Sequence, residues 1–172
     1  MNKSNFKTYS NFLIFFNKYR RDYRLVMLLI LVLITLDQLI KFEFCSFHFF
    51  FSSCTTNTGS AYGLFSSIEF YSLFTAILGI LISIFILIFL QYFVKEFGTL
   101  ITSFLLAGII SNTIDRIFFE GVRDMFTIFN LVIFGVFNLA DVYLTFGGLY
   151  ALHVLINSKD SLKEEKSIND KI

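Results

Sequence analysis

Asp124 and Asp141 carry the chemistry that this sequence offers most directly. Neither has a cation at helical spacing, and Asp141 is the only charged residue between Asp124 and Lys159. An ionisable side chain costs about 2.5 kcal/mol or more at the centre of a membrane helix, so residues of this kind in an apolar run are functional candidates by default. Two carboxylates brought close in a low-dielectric site share one proton. The ionised member then takes a proton from water while the protonated member donates to a carbonyl oxygen. That is general acid–base hydrolysis, and it needs no serine, cysteine or metal.

Other polar residues lie at spacings that allow support. Asp37 and Lys41 are i,i+4 and pair on one helix face, a structural tie between the first span and its neighbours. Asn112 and Asp115 are i,i+3, with Arg116 one turn from Asn112, and Asn138 and Asp141 repeat the Asn-x-x-Asp spacing. In both cases the amide is expected to orient the carboxylate one turn away. Asp115 also adjoins Arg116, so a neutralised ion pair is an equal reading for it. Cys45 and Cys54 are the only cysteines and belong to no CxxC or His/Cys cluster, which argues against zinc. They are expected to be two unpaired thiols near the membrane. His48 and His153 stand alone and read as interfacial or packing residues. No motif calls for a cofactor.

The elements that must position these groups are membrane helices. Hydrophobic residues make up 56% of the 172, with 25 Phe and no Pro or Trp, against about 45–50% in soluble domains. About 20 mostly apolar residues span a bilayer. Charge-free runs at residues 70–94 and 97–114 qualify, and residues 25–42 qualify with Asp37 and Lys41 inside. The stretch from 125 to 158 is too long for one helix. It divides near Asn138, giving a fourth helix at 138–156 after a re-entrant or surface segment, with Gly135 at the break. The first run follows Lys18, Arg20, Arg21 and Arg24 as a signal peptide would, but Asp37 to Lys41 comes after it in place of a small-x-small cleavage site. It reads as a retained helix.

Positive charge orients the bundle. Residues 1–24 carry six Lys or Arg, the loop between the second and third spans has Lys95, and the tail after Ile156 has four. Lys41, Arg116 and Arg123 are all that fall on the other side. Both termini are therefore expected in the cytoplasm. At about 1.5 Å per residue, Asp37 sits about 18 Å beyond Leu25, and Asp115 about 25 Å beyond Gly98. With Asn57, Arg116, Asp124 and Asp141 they form one polar layer near the outer leaflet. The expected fold is an all-α membrane protein, a four-transmembrane-helix bundle with small β-rich extracytoplasmic segments within 43–69 and 117–137. The divisions are a cytoplasmic N-terminal extension (1–24), a four-helix membrane domain (25–157) and a cytoplasmic tail (158–172). A net charge of +1 indicates no nucleic-acid partner.

Four blocks resemble the lipoprotein signal peptidase (signal peptidase II) family of bacterial inner membranes. Asp37-Gln38-Leu39-Ile40-Lys41 resembles D-Q-x-x-K, and Asn57-Thr58-Gly59-Ser60-Ala61-Tyr62 resembles N-x-G-x-A-[FW]. Ser111-Asn112-Thr113-Ile114-Asp115-Arg116 with Val122-Arg123-Asp124 resembles G-N-x-x-D-R…V-x-D-[FY]. Phe137-Asn138-Leu139-Ala140-Asp141 resembles F-N-x-A-D. Ser111 departs from the usual Gly, and Met125 from the usual aromatic after Asp124.

The resemblance implies that Asp124 and Asp141 are the catalytic pair. It gives Asn57, Gly59, Asn112, Asp115, Arg116, Asn138 and Ala140 supporting or substrate-binding roles, with Asp37 and Lys41 shaping the site. It also implies diacylglycerol-modified prolipoprotein substrates, cleavage just before the lipidated cysteine, and inhibition by globomycin-type cyclic peptides. Membrane lipids are the remaining partners, and the chain is expected to act as a monomer. Phe47, Phe49 and Phe50 are candidates for a lid over the substrate. Two other classes compete: a transporter relaying ions through Asp37, Asp115 and Asp141, and a divalent-metal enzyme with Asp115, Asp124 and Asp141 as oxygen ligands.

Overall fold

The computed structural model describes residues 3–46, 54–60, 63–127 and 135–169. The lid residues Phe47, Phe49 and Phe50, together with His48, Ala61 and Tyr62, lie outside the described residues. No Gly or Pro precedes Gly59. Nothing therefore breaks the first helix, α1, which runs Lys3–Ser46 straight through the boundary at residue 24. Strand β1 (Thr55–Asn57) comes next, then α2 (Tyr71–Ile88), α3 (Leu90–Phe97), α4 (Thr99–Phe119), β2 (Val122–Asp124) and α5 (Leu139–Asn169). Tyr23–Ser46, Tyr71–Ile88, Thr99–Phe119 and Leu139–Ser158 are long and apolar enough to cross a membrane.

The second span differs from its expected form. Residues 70–94 read as one run, but the helix breaks at Phe89 and restarts as the short α3. Eighteen residues in α2 already reach across the hydrocarbon core at about 1.5 Å each. Helix α3 then turns back onto the bundle, burying Leu90 and Phe97, and the chain passes through Gly98 (φ 84°) into α4.

Helix α4 is the hub, packed against α1, α2, α3 and α5. Lipid is as apolar as a leucine side chain, so helices in a bilayer associate through close packing and polar contacts. Both are present, at opposite ends of the bundle. At one end Val26, Ile30, Ile86, Leu90 and Leu106 form the apolar core. Towards the other end α4 approaches α5 closely: a Cβ on Gly108 would lie 2.9 Å from the Ala140 carbonyl oxygen. Beyond that contact the interior becomes polar.

The β-rich segments take the form of a single two-stranded antiparallel sheet among the described residues, with Thr55 opposite Asp124 and Asn57 opposite Val122. Gly121 lets the strands meet, since a Cβ there would sit 2.7 Å from Thr56 Cγ2. A further bridge joins Phe126 to Phe137, holding the chain after β2 against the start of α5. Cys45 and Cys54 are bonded to each other, contrary to the expectation of free thiols. With α1 running to Ser46 and β1 starting at Thr55, their Cα atoms lie 5.1 Å apart, within the range that a disulfide bridges.

Candidate active site

The site is built around the first turn of α5. Asn138 is its N-cap: the side-chain oxygen accepts from the Asp141 N–H at 3.0 Å, and the Asn138 N–H donates to Asp141 Oδ2 at 3.1 Å. This reciprocal pair is a capping box with Asn and Asp in the usual Ser/Thr and Glu places. The Asn138 amide nitrogen is left free to donate to Asp124 Oδ1, 2.7 Å away. One fully buried asparagine thus links the carboxylates of α5 and β2.

The next free N–H of the turn, on Ala140, donates to Asp37 Oδ1 at 2.8 Å. Asp37 has no solvent exposure, and neither has Lys41, whose ammonium lies 2.7 Å from Asp37 Oδ2 and 3.1 Å from Asp115 Oδ2. Lys41 also donates to Asn112 Oδ1 at 3.1 Å. The expected Asp37–Lys41 pair is present and is part of a larger network. A buried charge is tolerated when its remaining donors and acceptors are matched, and every donor of this ammonium has a partner.

Two expected partnerships are exchanged for others. Asp115 does not pair with Arg116. Its carboxylate receives Arg123 NH2 at 2.8 Å and the Arg123 backbone N–H at 3.0 Å. Asn112 does not orient Asp115 either; its amide donates to Asp141 Oδ1 at 2.9 Å. Side chains one turn apart on α4 diverge towards α1, β2 and α5, and the shorter interhelical bonds prevail. Arg116 turns to the loop after β1, donating to the Gly59 carbonyl at 3.2 Å. Asn57 closes that loop: its oxygen accepts from the Gly59 N–H at 3.0 Å and its amide donates to the Ser60 carbonyl at 3.0 Å.

Three residues outside the expected set belong to this network. Gln38 Nε2 donates to Asp115 Oδ1 at 3.0 Å and to Ser111 Oγ at 2.9 Å, and its oxygen accepts from Arg123 at 2.7 Å. Ser111 donates to Asp37 Oδ2 at 2.6 Å, so the departure from Gly adds a fully buried hydroxyl that is satisfied. Arg123 also stacks over Phe119, its guanidinium carbon 3.8 Å from the ring centroid. Two of the three carry a signal in the sequence: Gln38 is a polar residue inside an apolar span, and Arg123 is a cation directly beside the carboxylate of Asp124 in a short strand.

Asp37 and Asp115 against Lys41 and Arg123 make the inner cluster neutral. Asp124 and Asp141 remain, and with Asn57, Asn112 and Arg116 they line a cavity of about 320 Å³. Asp124 lies beyond the spanning segments. Burial pushes its carboxyl up to about 6, the Asp141 charge adds to the rise, and the amides of Asn138 and Asn57 oppose it. Asp115, which a three-carboxylate metal site requires, has both oxygens occupied by Arg123, Lys41 and Gln38.

A family model for signal peptidase (SPase) II matches residues 29–157. The chain belongs to the signal peptidase II family. It is 30% identical to a lipoprotein signal peptidase of Bartonella bacilliformis over 138 residues, covering 72% of this chain and 82% of the relative. A lipoprotein signal peptidase of Bartonella quintana is 37% identical over 99 residues, 53% of this chain and 56% of the relative. Two solved bacterial membrane enzymes share the fold. One has a TM-score of 0.61 at 25% identity, covering 79% of this chain and 90% of its own. The other has a TM-score of 0.55 at 27% identity, covering 76% and 91%. As a signal peptidase II, the protein is a multi-pass membrane protease, a hydrolase of peptide bonds.

Proposed function

We propose that Asp124 and Asp141 are the catalytic pair by which this signal peptidase removes signal peptides from diacylglycerol-modified prolipoproteins, cutting just before the lipidated cysteine. Signal peptide removal follows from family membership. The observation that carries the catalytic assignment is the bridge through Asn138, which holds two carboxylates of separate elements on one cavity while the other two carboxylates are neutralised.

Asp141 accepts two N–H donors and stands at a helix N-terminus, where the macrodipole favours an anion. Asp124 accepts from the Asn138 amide, and burial raises its affinity for a proton. Asp141 is therefore the base that activates water at rest, and Asp124 the acid that donates to the scissile carbonyl. With Arg116 beside them, one ionised and one protonated carboxyl leave the site without net charge. The amides of Asn57 and Asn112 hold substrate and carboxylate in register. Asp37, Lys41, Asp115 and Ala140 fix the turn that carries Asp141.

The active site faces the outer leaflet, with both termini cytoplasmic. The Lys and Arg distribution supports this orientation, as does a disulfide at the same end as the site, since such bonds persist on the oxidising side of a membrane. One chain supplies every residue of the site, in keeping with a monomer whose peptidase domain spans 25–157. The purified protein, given a prolipoprotein with and without its diacylglyceryl group, should release a mature product beginning at the lipidated cysteine only from the modified form. Mass spectrometry finding a cut elsewhere, or equal cutting of the unmodified chain, rejects the substrate assignment.

A further inference from the structure

Strand β2 has three residues and, among the described residues, pairs only with the three of β1. Two such short strands are marginal by themselves, so something else must fix β2 against the membrane helices. Arg123 does so. Its backbone N–H and Nε donate to Asp115 Oδ2 at 3.0 and 3.4 Å. Its Nη2 donates to Asp115 Oδ1 at 2.8 Å and to Gln38 Oε1 at 2.7 Å. The middle residue of β2 is thereby tied to α4 and to α1 at once. Its guanidinium also packs over Phe119, the last residue of α4.

That tie decides where Asp124 points. Successive side chains of a strand face opposite sides. Val122 and Asp124 line the catalytic cavity, whereas Arg123 between them reaches the inner cluster. Holding Arg123 inward therefore keeps Asp124 on the cavity that Asp141 also lines. The Asp124 carboxylate meets the Asn138 amide at 2.7 Å, a contact that a small shift of the strand would break. On the other side of Asp124, the Met125 N–H donates to the Phe137 carbonyl at 3.1 Å. Asp124 thus sits between two anchored neighbours. Neutralising Asp115 needs only a cation, but matching both its oxygens while reaching Gln38 needs the planar fork of an arginine. The middle place of the V-x-D block is open to any residue in the family pattern, so an arginine there is a feature of this chain.

We propose that Arg123 is a positioning residue for catalysis: by locking the middle of β2 to Asp115 and Gln38, it aims the Asp124 carboxyl into the cavity shared with Asp141. The inference rests on the reading of Asp124 and Asp141 as the catalytic pair. Arg123 itself touches no reacting atom. It acts through Asp124, and its charge alone does not replace its geometry.

Arg123→Met removes a cation from a buried pair and is expected to melt lower, which would confuse stability with rate. Arg123→Lys keeps the cation, and with it the neutrality of the inner cluster, but not the fork. It should melt near wild type. In single turnover of a diacylglyceryl-modified prolipoprotein at saturating enzyme, it should cleave about ten- to a hundredfold more slowly. That rate constant does not depend on the folded fraction. The enzyme concentration giving half the maximal rate should stay within about twofold of wild type, since no substrate contact is lost. A maximal rate within about twofold of wild type overturns the proposal. So does a loss confined to the half-saturating concentration, which makes Arg123 a substrate contact. A cycle with Asn138→Ser gives the second measurement. Both substitutions act through one carboxylate, so the combined loss should depart from the product of the single losses by more than about twofold. A loss equal to that product overturns the proposal. Asp124→Asn tests the premise: if it cleaves as wild type does, the catalytic reading falls and takes this role of Arg123 with it. If Asp124→Asn is inactive while Arg123→Lys cleaves at the wild-type rate, only the role of Arg123 falls.

Discussion

Asn138 and Asp141 hold each other twice, side chain to backbone in both directions, at 3.0 and 3.1 Å. The bond left over on Asn138 reaches Asp124 at 2.7 Å. Helix capping and alignment of the two carboxylates are therefore functions of one residue, and substitutions separate them. Ser at 138 caps a helix about as well as Asn but is too short to bridge to Asp124. Asn138→Ser should keep the cap and lose only the bond to buried Asp124, about 1–3 kcal/mol of stability, while kcat falls on the order of a hundredfold, the scale for losing a positioning group of this kind. Asn138→Ala should lose both. Comparing melting curves with turnover in the same detergent checks the split.

Lys41 is the most exacting buried group among the described residues, a charge with no exposure and two carboxylate partners. Lys41→Met removes the cation and leaves Asp37 without an ion pair. Breaking one side of a buried pair costs about 3–5 kcal/mol, so the variant should unfold at markedly lower temperature. Lys41→Met combined with Asp37→Asn should recover part of that loss, whereas a strictly additive loss contradicts a coupled network.

As the proposed acid, Asp124 should set the alkaline limb of activity. Its carboxyl is raised from 3.8 to about 6, so it holds a proton below that pH and releases it above. An acid that must be protonated makes kcat/KM of the free enzyme fall as pH rises through about 6. Because the Asn138 amide favours the ionised form, Asn138→Ser should move the limb to higher pH. A limb that stays in place, or moves down, contradicts the assignment of Asp124 as the acid.

The Cys45–Cys54 bond gives a test of orientation. Thiol alkylation of intact cells should leave both cysteines unmodified until a reductant is added, and the protein should be lighter by two hydrogens than its reduced form. Immediate alkylation without reductant places that end of the bundle on the reducing side.

The spans and the gathering of polar residues at one end were legible because charge is so rare in this chain that each ionisable group marks a depth. The pairing of Asn138 with Asp141 was also legible from their i,i+3 spacing. The partners chosen across the bundle were not. Spacing along α4 puts Asn112 near Asp115, yet the amide bonds to Asp141 and the carboxylate to Arg123. Helix neighbours are a weak constraint, about 0.2–0.5 kcal/mol a pair, and a buried charge-assisted bond outweighs it. The disulfide escaped for a related reason: pairing depends on where α1 ends, and the Phe-rich stretch after Ser46 carries no stop signal. The break at Phe89 has no Gly or Pro to announce it, and α3 beyond it buries Leu90 and Phe97.

The central claim is that Asp124 and Asp141 act together, and single-turnover cleavage of a diacylglyceryl-modified prolipoprotein tests it most directly. Asp124→Asn and Asp141→Asn keep side-chain size but cannot exchange the proton. Each should fold, bind substrate and reduce the cleavage rate by at least about a thousandfold. The double variant should be no slower than the slower single one, as for groups that act as a unit. Substantial cleavage by either single variant, or rate losses that multiply in the double variant, contradicts the account.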